Sequence, residues 1–287
     1  MNITKVYQKG SRAINEDCFV INEHANIYAA IDGATGLDGG IPGKLASETF
    51  QSFLLEEKEQ RSLSECIKRA NKELNKKVIS YYQNKIEQLH MPKIEYIPKR
   101  KRSTTGIIGI QFNEDHSCFD YVHAGDCMLF LKFDNDEIRM VTYDMVHFFD
   151  QIAINKITEL RKEFGQEVEL SKLRELVNPI LLENREKYNT SQGYRILDGS
   201  QESVDQLECG TIQLNKVKGL LLLSDGLLLP TQSEKENGWE QSANIAFSSG
   251  LDALLTEVQK KEKEDKECII YPRLKQQDDK TGILIEM

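Results

Sequence analysis

Two apolar stretches that end in aspartate-glycine constrain this chain most. "IYAAIDGATG" places Asp32-Gly33 after one, and "LLLLSDGLLLP" places Asp225-Gly226 after the other. Each run reads as a buried strand. Taken alone, an acid at a strand end reads as a turn residue, since Asp and Gly are favoured there. The pattern recurs, however. Asp17 opens "DCFVI", Asp126 follows "DYVHAG", and Asp278 and Asp279 precede "KTGILIE". If these strands lie side by side, their acids crowd one rim of the core. Adjacent carboxylates repel, so one must protonate or the group must find a cation. Oxygen-only ligands select hard cations: Mg²⁺, Mn²⁺ or Ca²⁺. The glycines after Asp32 and Asp225 let the backbone turn sharply and approach such an ion, which makes the Gly33 carbonyl a candidate ligand.

Other residue types narrow the chemistry. The five histidines (His24, His90, His116, His123, His147) show no zinc-ligand spacing, and each reads as a surface or core residue. The six cysteines are scattered without a CxxC, so neither a disulfide framework nor a cysteine zinc site is expected. That fits a reducing cytoplasm. The net charge of -9 argues against nucleic acid as a partner. No apolar run approaches the roughly 20 residues of a membrane helix, and "MNITKVYQKGSR" lacks the apolar core of a signal peptide. A cytoplasmic chain without membrane or nucleic-acid contact is the expectation.

Strands are expected near Ile3–Tyr7, Cys18–Ile21, Ile27–Ile31, Gly106–Phe112, Cys118–His123, Met128–Phe133, Leu220–Leu223 and Gly282–Ile285. Pro42 suits a first helical turn ahead of "GKLASETFQSFLLEE". Leu63, Ile67, Ala70, Leu74 and Val78 make the apolar face of a second helix. Phe149, Ala153, Ile157, Leu160 and Phe164 stripe a third, and Leu173, Val177 and Leu181 a fourth. A last helix is expected over Leu251–Lys263. Strands cluster at both chain ends and look hairpin-linked, which favours antiparallel sheets covered by helices. The basic run "PKRKRS" (Pro98–Ser103) reads as a solvated loop.

Six short motifs now carry a family resemblance. They are "RAINED" (Arg12–Asp17), "AAIDGATG" (Ala29–Gly36), "STTG" (Ser103–Gly106), "HAGDCM" (His123–Met128), "LLLLSDG" (Leu220–Gly226) and "DDKTGILI" (Asp278–Ile285). In type and order they resemble the metal-dependent protein phosphatases, the PPM or type 2C serine/threonine phosphatases, in their bacterial form. The resemblance implies an α+β fold: a four-layer α-β-β-α sandwich of two mainly antiparallel sheets flanked by helices. It implies one domain over residues 1–287, because the site draws on both chain ends. The segment at about 144–194 departs from the family and is expected to be a helical insertion or modified flap.

The resemblance also assigns roles. Asp32 matches the acid that bridges two metal ions, Mn²⁺ or Mg²⁺, and Gly33 the carbonyl ligand. Asp225 and Asp278 match two further metal acids. Glu16 and Asp17 match an acidic pair that touches metal or its waters, and Asp126 an acid that helps hold a third ion. Arg12 matches an arginine that grips the substrate phosphate. The catalytic set is thus Arg12, Asp32 and Asp225. The implied reaction is hydrolysis of phosphoserine or phosphothreonine in a phosphorylated protein by metal-activated water, with a small phosphorylated metabolite as the other substrate class. Two cations explain the residue types: they lower the pKa of a bound water and neutralise charge on the phosphoryl group.

The departures are specific. Ala34 stands where many eukaryotic members have histidine, so a side-chain general acid is not evident. "GDCM" replaces "GDSR", "STTG" lacks a preceding glycine, and Asp279 stands where asparagine is usual, which is expected to add negative charge beside the metals. These changes support one alternative, a non-catalytic phosphatase-like binding module. A covalent aspartyl-phosphate enzyme is a second alternative. It wants another acid two residues after the nucleophile, and the chain has Ala34 and Leu227 there. Oligomeric state is not specified by the sequence.

Overall fold

The structure, a computed structural model, describes residues 1–59, 61–86, 93–205, 207–233 and 235–287. Of the histidines, His90 lies outside them. The strands are β1 (Asn2–Gln8), β2 (Cys18–Asn22), β3 (Ile27–Ala34), β4 (Thr104–Phe112), β5 (Cys118–Ala124), β6 (Met128–Phe133), β7 (Ile138–Met140), β8 (Glu208–Gln213), β9 (Val217–Leu223) and β10 (Lys280–Glu286). The helices are α1 (Gly43–Leu55), α2 (Leu63–Tyr81), α3 (His147–Phe164), α4 (Leu170–Lys187), α5 (Glu202–Asp205), α6 (Gly238–Ser249) and α7 (Leu251–Glu264). One sheet has the order β1-β10-β9-β6-β7, the other β2-β3-β4-β5-β8. Every paired neighbour is antiparallel.

The two sheets face each other. Tyr28, Ala30, Ile108 and Ile110 of one meet Leu129, Leu131, Leu220, Leu222 and Ile283 of the other. Outside the second sheet, Phe50, Leu54, Ile67 and Leu74 of α1 and α2 cover Val20, Ala29, Ile31 and Ile107. Outside the first, Trp239, Ala243, Leu254 and Val258 of α6 and α7 cover Phe130, Leu221, Leu223 and Leu284. This is the expected α-β-β-α sandwich. It also explains the leucine run. Leu220 and Leu222 enter the core between the sheets, while Leu221 and Leu223 lie under the helices. A central strand covered on both faces needs an apolar side chain at every position. Each such leucine, when fully buried, is worth about 1.5–3 kcal/mol. The acid that ends the run is therefore mounted on one of the best-anchored strands.

All eight expected strands and all five expected helices are present. β7, β8, α5 and α6 were not expected. β7 has only three residues, none of them buried. Alternate residues of the edge strand β8 are exposed, and its sequence "ECGTIQ" is mostly polar. α6 buries Trp239, Ala243 and Ala246 among serines and polar residues, so its apolar stripe is faint. Pro42 is the N-cap of α1 rather than a residue of its first turn. Phe164, placed on the α3 stripe by spacing, is the last residue of the helix and is exposed.

α3 and α4 form a hairpin with its own small core. Ala153, Ile157, Leu173 and Val177 pack together there with Cys268 and Leu274 of the loop before β10. The "PKRKRS" run is not simply solvated. Arg102 is buried and pairs with buried Asp198 at 2.8 Å, and Lys99 donates to the Tyr188 carbonyl at 2.6 Å. The run thus fastens the chain that leaves α4. Among the described residues, no helix is long and apolar enough to cross a membrane.

Candidate metal centre

Antiparallel pairing brings the acids together. β3 ends where β2 begins, so Asp32 lies near Asp17. β9 ends where β10 begins, with Leu223 opposite Gly282, so Asp225 lies near Asp278. β5 belongs to one sheet and β6 to the other, so the turn between them crosses the gap and carries Asp126. Gly125 takes φ +84 in that turn, a conformation L side chains rarely adopt. β1 pairs with β10 from Asn2↔Glu286 to Gln8↔Lys280, which returns the Arg12 loop to the same rim.

At the centre, carboxylate oxygens of Asp32, Asp126 and Asp225 all lie within 4.8 Å of one another. Oδ1 of Asp225 is buried and meets no hydrogen-bond donor. Burial, then the charges of Asp225, Asp17, Asp126 and Asp278, pushes Asp32 well above the usual carboxylate range. Asp126 is raised for the same reason, by burial first and then by Asp225, Asp144 and Asp150. Burial and Asp278 push Asp225 up to about 6, even though Lys275 pulls the other way. Asp17 is fully enclosed and is pushed up to about 8 by burial, although the Ser224 hydroxyl donates to it at 2.7 Å. Like charges gathered with too few donors are relieved by protonation or by a cation. An all-oxygen donor set with an unpartnered buried oxygen suits a hard divalent ion.

The other expected site residues stand in different relations to this cluster. The Glu16 carboxylate is turned away from it. One oxygen accepts from the Thr35 hydroxyl and from the Gly43 N–H, the latter at 2.7 Å; the other pairs with Arg12. Glu16 therefore positions Arg12, whose side chain reaches the same cleft as Asp32 and Asp225. Asp278 lies outside the triangle, since Lys275 donates to its Oδ2 and the Asp279 N–H to its Oδ1 at 3.0 Å. Burial alone would raise Asp278, but the charge and hydrogen bond of Lys275, with Arg12 and the Asp279 N–H, hold it below the usual range. Asp279 does not add free charge beside the cluster, as its position suggested. Its two oxygens accept from the Gly10 and Glu16 N–H groups at 2.8 and 2.7 Å. Both partners are donors, which a carboxylate answers with both oxygens and an asparagine amide with only one.

Gly226 lies in the 3-10 turn Asp225–Leu227, and both it and Gly33 serve close packing. A Cβ on Gly33 would stand 2.3 Å from the Glu16 carbonyl oxygen, and one on Gly226 only 1.7 Å from that of Asp279. Each aspartate-glycine pair thus lets a neighbouring acidic segment close against it.

The cluster opens into a cleft of about 930 Å³. Sequence reasoning missed several of its walls. α3 contributes Asp150, and α4 contributes Arg174 and Arg185. Burial pushes Asp150 up to about 7 against the pull of Lys275. A signal for Arg185 was present: Leu173, Val177 and Leu181 continue to it at the same four-residue step. Lys275 carried no comparable signal, because only the folded loop brings it to the acids.

Whole-fold comparison places these features in context. No family model and no curated protein matches the chain. Solved structures do. The serine/threonine phosphatase Stp1 from Staphylococcus aureus is 15% identical with a TM-score of 0.57, over 99% of this chain and 94% of that one. The serine/threonine phosphatase PstP of Mycobacterium tuberculosis is 15% identical with a TM-score of 0.55, over 100% and 98% of the two chains. The catalytic domain of a PstP phosphatase in complex with two manganese ions is 14% identical with a TM-score of 0.55, over 99% and 97%. The chain has the fold of the bacterial serine/threonine phosphatases, and its likeness to them runs from end to end.

Proposed function

We propose that the chain is a metal-dependent phosphomonoester hydrolase of the PPM family, acting on phosphoserine or phosphothreonine in proteins. The observation that carries this reading is the Asp32–Asp126–Asp225 triangle, with its buried, unpartnered oxygen. The shared fold supports it, since the structurally similar proteins are serine/threonine phosphatases. Asp32, Asp126 and Asp225 would hold Mn²⁺ or Mg²⁺, with Asp17, Asp278 and the Gly33 carbonyl beside them. When bound, such ions supply Lewis acidity toward the phosphoryl group and lower the pKa of a water.

The chain's own residues supply binding and orientation. Arg12 is fixed through Glu16, which is itself fixed by Thr35 and the Gly43 N–H. Its remaining N–H groups offer a planar fork for phosphate oxygens. Ala34, a wall of the cleft, offers no proton to the leaving group. Met140 and Tyr143 line the cleft and are 43% and 70% exposed. An exposed aromatic and a methionine at the cleft mouth suit the flanks of a phosphorylated peptide.

The test is hydrolysis of p-nitrophenyl phosphate with Mn²⁺, with Mg²⁺ and with excess chelator. Turnover is expected only with a divalent ion, and phosphoserine and phosphothreonine peptides should outcompete phosphotyrosine peptides. Full turnover in chelator would defeat the reading. Binding of phosphopeptide without turnover under any metal would favour a non-catalytic module.

A further inference from the structure

Rigid anchoring delivers one lysine to the acid cluster. Lys275 lies in the loop between α7 and β10, and its ammonium donates to Asp278 Oδ2. Two structures fix the loop. From within, Arg273 bonds the Asp265 carboxylate at 3.1 Å and the Asp265 and Tyr271 carbonyls at 2.5 and 2.9 Å. The Asp265 carboxylate in turn accepts from the Ile269 and Tyr271 N–H groups at 2.8 and 2.7 Å. From outside, the α3–α4 hairpin holds it. Arg161 donates to the Glu267 carbonyl at 2.5 Å, the Leu170 N–H to the Glu267 carboxylate at 2.7 Å, and Arg174 to the Leu274 carbonyl at 2.6 Å. Leu274, the residue before Lys275, packs against the hairpin's core. The α3–α4 hairpin and the loop's own bonds together aim this cation.

We propose that Lys275 is a resident cation of the centre that competes with a divalent ion for Asp278, so that the chain takes up its ions in two unequal steps. This inference rests on the phosphatase reading above. Asp32, Asp126 and Asp225 have oxygens within 4.8 Å of one another and offer a first position, whereas the Lys275 ammonium is bonded to Asp278. A second position that draws on Asp278 requires its Oδ2 to be released. An ammonium and a divalent ion on one carboxylate repel each other, and at about 4 Å that repulsion is large in a partly enclosed site. The lysine can leave: its side chain is 32% exposed, it sits on a flexible stem, and it lines the open cleft. At low divalent-ion concentration Lys275 therefore balances Asp278, and occupancy of the second position follows the free-ion concentration.

The test is calorimetric titration of the chelator-stripped full chain with Mn²⁺, for wild type, Lys275→Met and Lys275→Gln. Wild type is expected to show one tight step and a second at least about tenfold weaker, a gap of about 1.4 kcal/mol. Both variants should tighten the second step by at least about tenfold and leave the first in place. Two equally tight steps in wild type would overturn the proposal whether or not a variant folds, and so would an unchanged gap in folded variants. Absence of Mn²⁺ binding in wild type and variants alike would instead sink the phosphatase reading, and this inference with it.

Discussion

Asp198 is wholly buried and Asp225 keeps one buried oxygen at the cleft, and their surroundings are opposite. Asp198 pairs with Arg102 at 2.8 Å and accepts from the N–H and hydroxyl of Ser200 at 3.1 and 2.5 Å. Asp225 has a buried oxygen with no donor, and its neighbours are other acids. One carboxylate is answered by the chain itself. The other has an oxygen that the proposed ion would answer. Native structures leave few buried polar atoms unpaired, and each such atom needs an explanation. Partner count separates the acids the scaffold satisfies from those proposed to hold an ion. Glu16 and Asp279 fall on the scaffold side by the same criterion, since both carboxylates are taken by donors.

The most direct way to break the comparison is to exchange one oxygen at each place. Asp225→Asn keeps the shape, removes a charge and relieves repulsion from Asp32 and Asp126. Its turnover of p-nitrophenyl phosphate is expected to fall by roughly 10²–10³-fold or more, in line with loss of a preorganised electrostatic group. Its melting temperature should hold or rise, as circular dichroism can follow. Asp198→Asn should do the reverse. Breaking a buried pair by removing one partner costs about 3–5 kcal/mol. A urea titration should report that loss while turnover per folded molecule stays near wild type. If Asp225→Asn proved strongly destabilised, or Asp198→Asn stable and inactive, the division between scaffold and site acids would fail.

Much of this division was legible before folding, and the reason is local. Asp32 lies near the end of β3 and Asp225 just past the end of β9, and a strand end in a layered fold has a fixed address on the rim. Motif order then carried the pairing of both chain ends, which β1 and β10 realise. What could not be read was side-chain direction. Glu16 and Asp17 are adjacent, yet Glu16 faces Arg12 and Thr35 while Asp17 faces Ser224. Nor could the sequence reveal that Asp279 clamps two backbone N–H groups, because those belong to residues near the opposite end of the chain. Lys275 was hidden for a related reason. Its position depends on anchors from α3, α4 and its own loop, none of which leaves a periodic trace. The basic run at Pro98–Ser103 misled in the other direction: Arg102 is buried because Asp198 waits for it, a partner 96 residues away.

The smallest expected effect is on stability against pH, and it sharpens the comparison without any mutation of the scaffold. Asp17, Asp150 and Asp225 are pushed up to about 8, 7 and 6 from an ordinary 3.8, in each case by burial first. A carboxyl whose folded value lies above its unfolded value binds its proton more tightly in the native chain. Between the two values the unfolded chain has released that proton and the native chain has not, so stability falls as pH rises. Each group contributes at most about 1.4 kcal/mol per pH unit inside its own window. Asp278, held below the ordinary value, works the other way and gives stability that is lost as pH falls. Asp32 and Asp126 are raised as well, so the raised acids of the cluster outnumber Asp278 and set the net slope. In excess chelator, the melting temperature is therefore expected to decline from about pH 4 to pH 8. Asp225→Asn should flatten the part below about pH 6, and Mn²⁺ should stabilise the wild type more at pH 8 than at pH 5, because charged acids bind it better. A melting temperature that climbed across this range in chelator would mean the native chain already satisfies these carboxylates, and the contrast between Asp198 and Asp225 would lose its physical basis.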